Sequence, residues 1–166
     1  MSTTDFVLYE EEFQKIKEAL GRLRLDANAN VVFLVDKNGQ QIAAMGDLTS
    51  LDTTSLASLT AGNVAATDGL ARLIGEKEFS ILFHEGEKDN IHISIVAQRV
   101  ILVVIFDERS SLGLVRLRVR RATAELDRIF EEIKEKAERE KASVRVDFES
   151  PFSEITDDDI DRLFSE

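Results

Sequence analysis

Two histidines, His84 and His92, and two arginines at chain corners, Arg99 and Arg109, are the residues from which a reactive site would first be built. Imidazole ligates metals and moves protons near neutral pH. Two imidazoles without cysteine or an obvious third ligand fall short of a metal site, so both read as ordinary sheet residues. An arginine offered to a partner can stabilise a transferring phosphoryl group in its transition state. Arg99, beside Gln98 at a tight corner, and Arg109, in "DERSSLG", have the position for it. Loop solvation and hairpin geometry account for both, and that reading is preferred. "RLRVRR" carries Arg116, Arg118, Arg120 and Arg121 at the start of a helix, where cations oppose the macrodipole. It reads as the solvated face of a long helix, with acidic lipid, RNA or the chain's own acidic tail as alternative neighbours. There is no G-x-x-x-x-G-K-[ST] or G-x-G-x-x-G run, and the many carboxylates fall on helix faces and in the tail. The expectation is no active site, no catalytic residue, no metal and no cofactor, so the chain does not read as an enzyme.

A different pattern is more informative. "DTTSLASLTAGNVAATDGLARLIG" reads as a helix whose only charge between Leu56 and Arg72 is Asp68, with two interior glycines. On a wheel of about 100° per residue, Leu56, Leu59, Asn63, Ala66, Leu70, Leu73 and Ile74 share one side. Ser58, Gly62, Ala65, Gly69 and Arg72 form a separate narrow stripe. Each interior glycine costs about 1 kcal/mol relative to alanine, so two on one stripe mark close approach of another backbone. That backbone is either the protein's own sheet or a partner.

Around this helix the chain falls into alternating elements. "VLYEEEFQKIKEALGRLRLD" places Leu8 or Tyr9, Phe13, Ile16, Leu20 and Leu23 at helical spacing. "NVVFLVDKNGQQIAAMG" gives two strands flanking Asn38-Gly39, the pair that takes positive φ at both central positions of a type I′ turn. Asp52 is positioned as the N-cap of the small-residue helix and Gly75 as its stop. "EFSILFHE", "NIHISIVA" and "RVILVVIFD" follow as three strands. In the second, Ile91, Ile93 and Ile95 alternate with His92 and Ser94, as in a half-buried strand. The third is apolar throughout and predicts a central strand covered on both faces. "SLGLVRLRVRRATAELDRIFEEIKEKAEREK" keeps helical spacing from Leu112 to Ile133, although Leu117 to Arg120 alternate like a strand.

The chain of 166 residues, 43% hydrophobic, suits one compact domain with a real core. We divide it into a body at residues 1–141 and an acidic flexible tail at residues 142–166, ending in a short amphipathic helix capped by Thr156. The tail combines Asp157, Asp158, Asp159 and Asp161 with Ile160, Leu163 and Phe164, a small apolar face that could dock on a partner. The absence of cysteine removes disulfides and thiolates. No leader pattern or membrane span is evident, which predicts a cytoplasmic protein. A net charge of −11 disfavours nucleic acid and suits protein or small-molecule partners.

The order α-β-β-α-β-β-β-α, together with "VVFLVDKNGQ", "DTTSLASLTAGNVAA", "VILVVIFDERSSLGLVRLR" and "SPFSEITDDDIDRLFSE", resembles the Roadblock/dynein light chain family, and within it a bacterial gliding-protein branch. The resemblance implies an α/β (α+β) sandwich with a five-stranded antiparallel sheet. It implies a homodimer that joins sheet edges and packs its second helices side by side. The implied partner is a Ras-like small GTPase of the MglA type, whose GTP hydrolysis the dimer accelerates by repositioning the GTPase's own residues. Front–rear cell polarity, gliding motility and concentration at a cell pole follow from the same resemblance. Ser58, Gly62, Ala65, Gly69 and Arg72 are then the expected GTPase or dimer interface, and Ile160, Leu163 and Phe164 the tail contact. The alternatives are a non-catalytic dimeric scaffold for a GTPase or polarity protein, and a profilin- or sensor-like ligand-binding domain.

Overall fold

The computed structural model describes residues 8–149 and 162–165. Helix α1 (Glu10–Asp26) leads into strands β1 (Val31–Asp36) and β2 (Gln41–Gly46). Helix α2 (Thr53–Leu73) precedes strands β3 (Ile81–Glu85), β4 (Asn90–Val96) and β5 (Val100–Phe106), and helix α3 (Leu112–Glu149) follows them. The five strands form one antiparallel sheet in the order β2-β1-β5-β4-β3. Both the element order and the sheet are those expected. Because β5 lies between β1 and β4, its unbroken run of apolar residues serves two buried faces.

Alternation along these strands divides the core in two. Val32, Leu34, Leu102, Val104 and Phe106 face α1 and α3, where Ile16, Leu20, Leu23, Val115, Leu126, Ile129 and Ile133 meet them. Val31, Phe33, Val35, Ile93, Ile101 and Val103 face the opposite side, which α2 covers through Ala57 and Val64. The sheet is thus a middle layer between one helix and two.

Helix α2 is bounded as its local chemistry demands. The Asp52 carboxylate accepts the backbone N–H of Ser55 at 3.1 Å and the Ser55 hydroxyl at 2.6 Å. At the other end Gly75 has φ +83°, its N–H reaches the Arg72 carbonyl, and the Glu76 N–H reaches the Ala71 carbonyl. Those two bonds satisfy carbonyls that would otherwise end the helix unpaired.

Two turns depart from expectation. At the β1–β2 hairpin only Gly39 has positive φ, +92°, while Asn38 does not share it. The Asp36 carboxylate accepts the N–H groups of both Asn38 and Gln40, at 2.9 and 3.0 Å, and so fixes a turn in which a positive φ at Asn38 is not required. The pair of left-handed residues lies instead in the β4–β5 turn, at Ala97 (φ +52°) and Gln98 (φ +60°). There the Ala97 N–H donates to the Asp127 carboxylate on α3 at 2.9 Å. Left-handed backbone costs an L-residue roughly 1–2 kcal/mol, part of which glycine recovers. Gln98→Gly is therefore expected to raise stability by up to about 1 kcal/mol, read as an upward shift in thermal midpoint.

Beta-strand alternation at the start of α3 loses to its helical pattern, since Val115, Val119, Ala122 and Leu126 all reach the core. The helix continues to Glu149, so position 142, the expected start of the tail, falls inside α3. Nothing in "ASVRVDFE" breaks a helix, and the first residue that would is Pro151.

Candidate functional site

Helix α2 lies on the sheet through compact residues. Ala57, Thr60, Val64 and Ala71 are its buried positions, three, four and seven residues apart, and the buried Thr60 hydroxyl is satisfied by the Leu56 carbonyl at 2.7 Å. The hairpin turn also leans on this helix, because a Cβ on Gly39 would come within 3.4 Å of the Ser58 Cα. Of the wheel's leucine side only Leu56 packs against the core; Leu59, Leu70, Leu73 and Ile74 are 73%, 61%, 83% and 69% exposed.

The small-residue stripe also faces outward. Ser58, Gly62, Ala65 and Arg72 are exposed and Gly69 is half-buried. A Cβ built on Gly62 or Gly69 would meet nothing within 4 Å. Packing against the chain's own sheet is thereby excluded as the reason for these glycines. What remains is a shallow track of small residues beside a ridge of exposed aliphatics. Fully burying a Leu or Ile side chain contributes about 1.5–3 kcal/mol, so a partner covering this ridge would gain substantially. Asn63 fastens the helix to the sheet edge, with its Nδ2 3.1 Å from Nε2 of His84 on β3.

The histidines do not converge. His84 pairs across the ladder with Ile91, and His92 with Phe83, so the two rings lie on opposite faces of the sheet. His84 faces α2 and is exposed, whereas His92 faces α3 and is 1% exposed. Strand β4 is covered on both faces rather than half-buried, because α2's side buries Ile93 while α3 covers the polar side and buries both His92 and Ser94.

Arg109 is committed within its own chain. Its Nε lies 3.1 and 3.2 Å from the two Asp107 carboxylate oxygens, its Nη2 is 3.1 Å from one of them, and it also donates to the Asn30 side chain. The arginine's hydrogen bonds, the Arg109 backbone N–H and the Asn30 amide hold the Asp107 carboxyl far below the usual carboxylate range. Asn28 closes the arrangement by donating to the Arg109 carbonyl at 2.7 Å. This clamp joins the β5–α3 loop to the start of β1. Arg99 is exposed just after the β4–β5 turn. Of the tail contact, Leu163 and Phe164 are 80% and 84% exposed, and Ile160 and Thr156 lie outside the described residues.

These features can be set against known proteins. A model of the Roadblock/LC7 domain matches residues 15–106, from within α1 to the end of β5. The chain belongs to the Roadblock/LC7 family. Within that family it falls in the MglB branch. It is 64% identical to Myxococcus xanthus MglB over 76% of this chain and 96% of that one, with a TM-score of 0.73. The gliding protein MglB from Thermus thermophilus is 34% identical, over 79% and 99% of the two chains, at the same TM-score. A profilin from Acanthamoeba castellanii, 10% identical with a TM-score of 0.51, shares the fold alone over 67% of this chain and 95% of that one. A search of curated proteins finds no match. Among the described residues of this Roadblock chain, no helix is long and apolar enough to cross a membrane.

Proposed function

We propose that this Roadblock protein acts as a homodimer that binds a Ras-like small GTPase of the MglA type and accelerates its hydrolysis of GTP. The observation that carries the proposal is the outward face of α2, where Gly62 and Gly69 open a track for another backbone beside four exposed aliphatic side chains. A chain with 64% identity to an MglB is the context in which that face is read. Strand β3 supports the dimer, because it is a sheet edge and its Ile81 is 50% exposed. Two such edges joined antiparallel would extend the sheet and set two α2 helices side by side. The protein itself would supply no catalytic group; it would act in the cytoplasm on cell polarity, concentrated at a pole.

Single-turnover GTP hydrolysis by an MglA-type GTPase, with and without the protein, tests the proposal. Acceleration supports it, and binding without acceleration would replace it with the scaffold reading. The structure favours activation without an arginine finger, since Arg109 already spends its guanidinium on Asp107 and Asn30. Arg99→Ala and Arg109→Ala are accordingly expected to keep most of the stimulation. A true finger would show a loss of about 10³-fold or more at unchanged binding.

A further inference from the structure

His92 is the least explained polar group in the fold. Its ring is 1% exposed, and among the described residues neither Nδ1 nor Nε2 has a hydrogen-bond partner. A neutral imidazole carries one donor and one acceptor, and leaving either unmet in a buried site costs about 1–3 kcal/mol. The ring borders a cavity of about 280 Å³ between α3 and the β3–β4 edge, lined by Ile81, His92, Arg116, Val119 and Arg120. Ser94, two residues along the same face of β4, also has a buried hydroxyl without a partner.

The walls have one sign of charge. Arg116 and Arg120, one helical turn apart on α3, face the cavity, and among the described residues neither forms an ion pair. The cross-strand neighbours of His92 are apolar, Phe83 on β3 and Val104 on β5. Among the described residues, no carboxylate lines the space. Burial, and then the Arg116 charge, hold the imidazole below its ordinary pKa, so an anion placed here would relieve both effects. A planar guanidinium binds carboxylate and phosphate oxygens through paired N–H groups, and the His92 N–H supplies a further donor from below.

We propose that this cavity binds a single oxyanion, a carboxylate or a phosphate group, held by Arg116 and Arg120 with His92 as the buried donor. Two sources offer that chemistry: a free anion, and the carboxylates of Asp157, Asp158, Asp159 and Asp161 in the same chain.

The chain has only two histidines, so imidazole resonances in the full-length protein report on His92 with His84 as an internal control. Inorganic phosphate is the probe. Saturable movement of the His92 signals, with a rise in its pKa and little change at His84, is the expected result. Arg116→Gln and Arg120→Gln, both at exposed positions, should each weaken phosphate binding about tenfold with unchanged circular dichroism. Replacing all four tail aspartates by asparagine in the full chain separates the sources. If the tail fills the cavity, His92 shifts before any phosphate is added and phosphate then binds more tightly. If a free anion is the ligand, both chains bind phosphate alike. Absence of a saturable His92 response in both chains, or a response indifferent to the two arginine substitutions, would overturn the proposal.

Discussion

Ala65→Arg and Gly69→Arg are each expected to reduce stimulation of the GTPase about 100-fold or more while the fold survives. The reason is the geometry of α2. Ala65 is exposed, and a Cβ at Gly69 meets nothing within 4 Å, so a long side chain at either position enters open space in the single chain. In a complex the same side chain would occupy the track that a second backbone needs, and a charge would be driven against Leu59, Leu70 or a partner's apolar surface. Helix propensity makes the experiment sharper. Arginine in place of an interior glycine favours the helix by up to about 1 kcal/mol, so Gly69→Arg should melt no lower than the parent even as it loses its partner. Light scattering assigns the loss to dimerisation or to GTPase binding. Ala124→Arg, the same change at an exposed position of α3, serves as control and should leave stimulation intact. Normal dimers and normal stimulation in both α2 variants would remove this face from the interface.

How legible such a surface is depends on whether local chemistry or a neighbouring element decides it. Asp52 and Gly75 could be read from the sequence because a cap and a left-handed stop are satisfied within one turn of chain. The central position of β5 was legible too, since no residue from Val100 to Phe106 tolerates water. The burial of β4 was not. Ile91, His92, Ile93, Ser94 and Ile95 alternate as a half-exposed strand would, and only the passage of α3 over the polar side turns His92 and Ser94 inward. The turns show the same division. Asn38-Gly39 carries the right residues for two positive φ values, yet the Asp36 side chain takes over the turn. Ala97 and Gln98 carry no such signal and adopt them, with Asp127 of a distant helix holding the Ala97 N–H.

The candidate surface was legible only as a question. Glycine and alanine at helical spacing announce close approach without saying by what, and the leucines beside them suggest an inward face. Packing reverses that suggestion: Ala57, Val64 and Ala71 let α2 sit near the sheet, which leaves the longer aliphatic side chains outside. A net charge of −11 pointed away from nucleic acid but gave no hint that Arg116 and Arg120 share a cavity with a buried imidazole.

The largest expected loss of stability lies on the opposite side of the sheet. Glu12 is a charged residue 1% exposed, and it is paired with Lys136 across the α1–α3 contact. Lys136 also reaches Glu11 at 3.4 Å and lies 5.5 Å from the centre of the Tyr9 ring. Lys136→Met keeps much of the aliphatic stem but strands a buried carboxylate, which is expected to cost about 3 kcal/mol at neutral pH. The pH dependence carries the test. In the parent, the hydrogen bond from Lys136, opposed by burial, lowers the Glu12 pKa. A carboxylate depressed in the folded state contributes stability above its unfolded pKa, about 4.3, and loses it as the pH falls through the folded value. Without Lys136 the largest remaining influence is burial, which raises the pKa against the smaller pulls of the Glu12 backbone N–H and Lys15, so the expected sign reverses: the variant holds its stability below about pH 4 and loses it as the pH rises. The gap between the two urea midpoints should therefore narrow in acid and widen toward neutrality. Glu12→Leu combined with Lys136→Met removes both charges and should recover most of the loss, because no ion is then left unpaired. A gap that stays constant with pH, or a double variant no better than the single one, would mean that this pair contributes nothing to holding α1 on α3.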